Sequence, residues 1–116
     1  MKEKAKYTII QYRENFEAVN IGIVVIKEKG CDYQMTSDTS RIQLLFPQIS
    51  VERTKIAIGF FQYRLREIKN ETELIKFMST RANEIKFTKL LPMVITDNYD
   101  INKEFRYFVK VNPSTI

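Results

Sequence analysis

The sequence predicts an α+β fold: an antiparallel sheet of about four strands with helices packed on one face. Three of those strands form an N-terminal meander and one comes later in the chain. Three observations carry this expectation. β-Branched and aromatic residues crowd the first third of the chain, from Lys6 to Ser37. Apolar residues at helical spacing follow in the middle. One more strand pattern and one more helix pattern close the chain, so strands and helices are grouped rather than alternating, which argues against a doubly wound parallel sheet. With 116 residues, three Gly, three Pro and no repeat or linker-like stretch, residues 1–116 read as a single domain.

The elements follow in order. Lys6–Arg13 (KYTIIQYR) alternates imperfectly and is rich in Tyr, Ile and Thr, the pattern of a strand. After a turn at Glu14-Asn15, Glu17–Lys27 reads as a second, largely buried strand, in which Gly22 predicts a bulge or a close backbone approach. Glu28–Asp32 is a hairpin connection centred on Gly30, and Tyr33–Ser37 a short third strand. Thr39–Phe46 is a short helix or an irregular turn that stops before Pro47, since proline disfavours the helical region for the residue before it.

Ser50 has N-cap chemistry for a long helix from Val51 to about Lys69, with a core stripe of Thr54, Ile58, Phe61, Leu65 and Ile68. Asn70-Glu71-Thr72-Glu73 resembles a capping box and opens a second helix with Leu74, Phe77, Met78 and Ala82 as its apolar positions. Ile85–Ile95 returns to a strand with Ile85, Phe87, Leu91, Met93 and Ile95 on one parity, and Pro92 places it on an edge or at a bulge. Asp97–Asp100 makes a turn and cap. A last helix runs from Ile101 to about Val111, with Ile101, Phe105, Phe108 and Val109 inward and Pro113 just past its end.

Composition narrows the chemistry. There is no His and one Cys, so no Ser-His-Asp or Cys-His nucleophilic site, His-ligated metal or internal disulfide can be built. No stretch approaches the roughly 20 apolar residues needed to span a bilayer, and the basic start leads into an alternating segment rather than a signal-peptide core. A lone thiol and no export signal point to the cytoplasm. Cys31 sits beside Asp32, whose carboxylate raises its pKa and argues against a reactive thiolate. No catalytic residue, metal or cofactor is assigned. Asp97 and Asp100 are the only spacing that suggests Mg²⁺ and a nuclease, and the simpler reading is a capped helix start.

The long helix carries the main functional expectation. At roughly 100° per residue, Ile56, Phe60 and Tyr63 fall opposite the core stripe, with Arg53 and Arg64 along their border. A surface helix needs one apolar face, and this one has two. Either both are covered within the monomer, or the second meets another protein or a second copy of the chain. The alternative uses the net charge of +5: Lys55, Arg66 and Lys69 on one flank of the helix, with Arg106 and Lys110 in the last helix, form a basic set suited to nucleic acid. Basic residues interleaved with Tyr7 and Tyr12 in the first strand raise the further idea of base stacking on an open sheet.

Tyr7-Thr8-Ile9-Ile10-Gln11-Tyr12-Arg13, followed by Phe16-Glu17-Ala18-Val19-Asn20-Ile21-Gly22-Ile23, resembles the bacterial family catalogued as domain of unknown function 3037. Arg41–Phe46, Arg81–Pro92 and Asp100–Val109 resemble its later segments, though more diffusely. Position by position, the signature residues are Glu17, Asn20 and Gly22. They read either as a structural joint, with Glu17 pairing Arg13 across the hairpin, or as a polar site at the sheet edge. The turn Glu14-Asn15-Phe16 is shorter than the family's usual one and lacks its glycine, so the resemblance gives that turn no role. The resemblance implies no established activity, and it suggests a toxin–antitoxin, mobile-element or host–phage setting. The expected function is a non-enzymatic protein-interaction module with no membrane partner.

Overall fold

A computed structural model of the chain describes residues 2–14, 16–36, 38–79 and 84–109. Expectations resting on Asn15, Ser37, Arg81, Ala82, Lys110, Val111 and Pro113 lie outside them. The element order is β1 (Glu3–Glu14), β2 (Glu17–Ile26), β3 (Cys31–Met35), α1 (Ser40–Leu45), α2 (Val51–Glu67), α3 (Glu71–Met78), β4 (Ile85–Phe87), β5 (Leu91–Ile95) and α4 (Ile101–Phe108). The α+β class is as the sequence predicts. All strand pairings are antiparallel, in the order β3-β2-β1-β4, with β5 also paired to β1. β1 is therefore the central strand, with β2 along one side and β4 and β5 end to end along the other.

The predicted single strand Ile85–Ile95 is two strands because its register slips. Ile10 pairs with Phe87, whereas Tyr7 pairs with Leu91, so residues 88–90 lie opposite only Thr8 and Ile9. That one extra residue is a bulge, and it turns every later side chain to the other face. Ile85 and Phe87 accordingly pack into one core, and Met93 and Ile95 into the other, although all four share sequence parity. Thr88 stitches the gap. Its amide donates to the Ile9 carbonyl (2.8 Å), its hydroxyl accepts from the Ile9 amide (2.9 Å), and its carbonyl accepts from the buried Thr8 hydroxyl (2.6 Å). Pro92 lies on the edge strand β5 just beyond this bulge, where no ladder donor is required of it.

A second bulge lies across β1. Ile10 pairs with Gly22 and Gln11 with Asn20, leaving Ile21 as the extra residue in β2. Val19 and Ile21 face the same core as Val24 and Ile26, while Ile23 and Val25 face the opposite one. The expectation of a bulge or a close approach at Gly22 holds on both counts. A Cβ there would stand 2.8 Å from Met35 Cγ and 3.0 Å from the Gln34 carbonyl oxygen. At the next hairpin Gly30 has φ of 99°, and its carbonyl accepts from the Lys27 amide at 3.0 Å.

The sheet has two covered faces. α1, α2 and α3 pack on one, burying Ile42, Ile58, Phe61, Leu65, Leu74 and Phe77 against Ile10, Val24 and Ile26. Packing of helices on one face thus holds for these three. α4 is the exception, because Ile101, Phe105 and Phe108 cover Ala5, Ile9, Ile23 and Val25 on the opposite side. The reason is the first bulge: once β5 is turned over, the chain leaves the sheet on its far face and the last helix covers the apolar stripe there.

The caps follow the sequence. Ser50 Oγ accepts from the Arg53 amide (3.3 Å), Asn70 Oδ1 from the Glu73 amide (2.9 Å) and Asp100 Oδ1 from the Asn102 amide (2.9 Å). Glu73 Oε1 accepts from the Lys69 amide (2.7 Å), one residue before the position that a standard capping box reaches.

Candidate functional site

α2 is anchored by one face. Thr54, Ile58, Phe61 and Leu65 are buried, and Phe61 lies at the centre of an aromatic cluster, 5.1 Å from the Phe77 ring and 5.7 Å from Phe87. Thr54 is buried with its hydroxyl donating to the Ser50 carbonyl at 2.9 Å. Ile68, the last residue of the predicted stripe, is half-buried and caps the helix.

The opposite face of α2 stays open. Ile56 is 72% exposed, Phe60 45% and Tyr63 59%, so neither α3 nor α4 lies over this stripe. α4 is on the far side of the sheet. The Arg64 guanidinium lies 5.9 Å from the Phe60 ring and 5.5 Å from the Phe77 ring, bridging the exposed stripe to α3. Gly59 lies between Ile56 and Tyr63 along the helix, and apart from its own stretch of helix backbone and its two chain neighbours no atom of the described residues comes within 4 Å of where its Cβ would be. Apolar spacing alone does not single out Gly59; its place beside the outer stripe of the helix is the sequence signal that does.

A groove of about 850 Å³ opens beside the N-terminus of α2, between the β1–β2 hairpin and the loop that follows α1. Tyr12 and Phe46 form part of its wall, and Glu14, Glu17, Glu84 and Arg53 are its charged lining. Burial first, then Glu14 and Glu84, push the Tyr12 hydroxyl up to about 12, and that hydroxyl donates to Glu14 Oε2 at 3.3 Å. Arg53 thus stands both beside the open face of α2 and at this groove. Among the described residues no group of three or more Cys, Asp or Glu is placed to hold a metal ion.

The signature residues separate into different roles. Gly22 is a packing joint. Asn20 links elements: its Nδ2 donates to the Phe108 carbonyl (2.9 Å), and its Oδ1 accepts from Gln11 Nε2 (2.8 Å). Glu17 is exposed at the groove opposite Glu14. Its expected partner Arg13 instead lies opposite Ala18 and donates through Nε to Gln11 Oε1 at 2.7 Å. The polar row Arg13–Gln11–Asn20–Phe108 therefore serves the docking of α4.

The basic set does not form one surface. Lys55 and Arg66 are exposed along α2 and Lys69 just past its C-terminal end, while Arg106 is exposed on α4 across the sheet. Lys110 lies outside the described residues. The tyrosines of β1 do not offer an open stacking platform either. Tyr7 is covered by Phe108, with ring centroids 5.3 Å apart, and Tyr12 by Phe46 at 5.1 Å. Asp100 spends its carboxylate on the cap of α4, as its position before that helix implies.

Cys31 is half-buried, and its thiol is pushed up to about 12, mainly by burial and secondarily by Asp32, with Lys27 opposing. The direction agrees with the sequence argument, but burial outranks the carboxylate. Asp32 itself accepts from the Tyr99 hydroxyl (2.7 Å) and pairs with Lys27 (3.2 Å), tying the start of α4 to β3. Among the described residues no helix is long and apolar enough to cross a membrane.

No family model, curated protein or solved structure matches this chain.

Proposed function

We propose that this chain is a non-enzymatic interaction module that receives a helix of a protein partner on the open face of α2. The observation behind this reading is the stripe Ile56–Phe60–Tyr63. It lies directly opposite a fully packed stripe on the same helix and is left exposed among the described residues. Three large apolar side chains in line, bordered by Arg53 and Arg64, have the composition of an interface centre with a charged rim. Gly59 supports a helix as occupant, because the missing side chain lets another backbone come close. The nucleic-acid alternative lacks a comparable feature, since its basic residues are divided between two faces.

The test is site-directed photo-cross-linking in cells, with a benzophenone amino acid replacing Ile56 or Tyr63 and, as a control, Gln43 on α1. A protein adduct of one defined mass is expected from positions 56 and 63 and not from 43. It should disappear when Phe60→Lys is added, with the circular dichroism spectrum of the variant, and its Tm under dilute, monomeric conditions, unchanged. No adduct, or one that survives Phe60→Lys, overturns the reading.

A further inference from the structure

We infer that the helix received by α2 is α2 of a second copy, in an antiparallel two-fold pair crossing at Gly59. This rests on the interaction reading above and names its partner. The first support is symmetry within the helix. Gly59 is the middle residue of the seventeen in α2, and Ile56 and Tyr63 flank the Gly59-Phe60 pair at equal spacing. When such a helix is turned end for end about its own midpoint, Ile56 faces Tyr63 of the second copy. Phe60 then meets its own counterpart, and Gly59 opposes Gly59. A two-fold contact requires this self-complementarity, because one patch must serve as both halves.

The second support is charge. Glu52 and Arg53 mark one end of the open stripe, and Arg66 and Glu67 the other. All four are exposed, and among the described residues none is in an ion pair. At roughly 100° per residue, Glu52 and Arg66 fall on one flank of the stripe and Arg53 and Glu67 on the other. A two-fold axis perpendicular to an antiparallel pair sets like flank against like flank with the ends exchanged. Glu52 therefore meets Arg66 of the second copy, and Arg53 meets Glu67, each twice. Antiparallel helices also set their dipoles head to tail.

The third support is Gly59 itself. Glycine weakens a helix interior, and nothing among the described residues requires it here, since its φ is not positive and the space above it is open. A close helix crossing supplies the reason that the monomer lacks.

Sedimentation equilibrium of the purified chain tests the pair, with Gly59→Gln and Phe60→Lys as variants. A monomer–dimer equilibrium is expected, weakened roughly tenfold or more by either change. Gly59→Gln should at the same time raise the Tm measured under dilute, monomeric conditions, a sign that a folding defect would reverse. In a Cys31→Ser background, Ile56→Cys combined with Tyr63→Cys should cross-link between copies, whereas Ile56→Cys alone should not. Cross-linking by Ile56→Cys alone means a parallel pair and overturns the arrangement. A monomer at every soluble concentration overturns the second copy as partner. If the cellular photo-adduct then carries a different protein, the interaction reading stands without it; if there is no adduct, both fall.

Discussion

Asn20 in β2 donates from Nδ2 to the carbonyl oxygen of Phe108, 2.9 Å away at the last turn of α4. The two residues are 88 positions apart. Because the other end of the same carboxamide accepts from Gln11, one side chain holds the central strand, its neighbour and the last helix together. It also satisfies a carbonyl that the end of a helix leaves unpaired.

Asn20→Ala is therefore expected to lower stability by about 1–2 kcal/mol, since two half-buried partners lose their hydrogen bonds. Asn20→Asp should cost more, because an acceptor then faces the Phe108 carbonyl. Urea denaturation gives the magnitude. Amide hydrogen exchange should rise first in α4, while β2 and β3 stay protected.

Gly22→Ala should destabilise by about 1–3 kcal/mol through overpacking, because the new methyl meets Met35 and the backbone of Gln34. Met35→Ala in the same chain removes only the side-chain clash and should recover part of the loss relative to Met35→Ala alone. A double-mutant cycle by denaturant titration measures the recovery. Full additivity would contradict the contact.

Phe60 and Phe61 are adjacent in sequence and opposite in consequence. Phe61→Ala empties the centre of the Phe61–Phe77–Phe87 cluster and is expected to cost about 3–5 kcal/mol. Phe60→Ala, under conditions where the chain is monomeric, should change stability by less than about 1 kcal/mol, its loss confined to the contacts with Arg64 and with the edge of the Phe61 ring. Thermal unfolding of the two variants side by side checks the difference.

The pH dependence should show on the alkaline side. The Cys31 thiol and the Tyr12 hydroxyl are each held up to about 12 in the folded chain, and the Tyr99 hydroxyl is raised further by burial and by Asp32. A group whose folded pKa is raised contributes its full stability below its unfolded pKa. It loses that contribution as pH climbs toward the folded value. Stability should therefore be level up to about pH 8, should begin to fall as the unfolded thiol ionises around pH 8.5, and should go on falling toward pH 12. Cys31→Ala should flatten the first part of the decline and Tyr99→Phe the later part. Alkylation of Cys31 by iodoacetamide at pH 8 should be far slower in the folded chain than in urea.

The open stripe on α2 was legible in the sequence because helical angle depends on residue number alone. Ile56, Phe60 and Tyr63 are opposite Phe61 and Leu65 in any helix that holds them both. Whether anything lay over that stripe was not legible, since that depends on where α3 and α4 land. The acidic groove was not legible either: Glu17 and Glu84 are far apart in the chain and share a lining only once Ile85 pairs with Tyr12.

The sequence by itself determined the local structure. The β-branched runs made strands, Ser50, Asn70 and Asp100 started helices, and the 3.6-residue spacing picked out Thr54, Ile58, Phe61 and Leu65 as the buried side of α2. These are short-range effects, decided by a residue and its neighbours within a turn or two. The tertiary structure alone decided which face of the sheet each later element serves. Two bulges, opposite Ile10–Gln11 and opposite Thr8–Ile9, reverse the parity of β2 and of the β4–β5 segment. A bulge is a mismatch in count between two paired strands, so it exists only once they are paired. That mismatch carries α4 to the far face and leaves the outer side of α2 open.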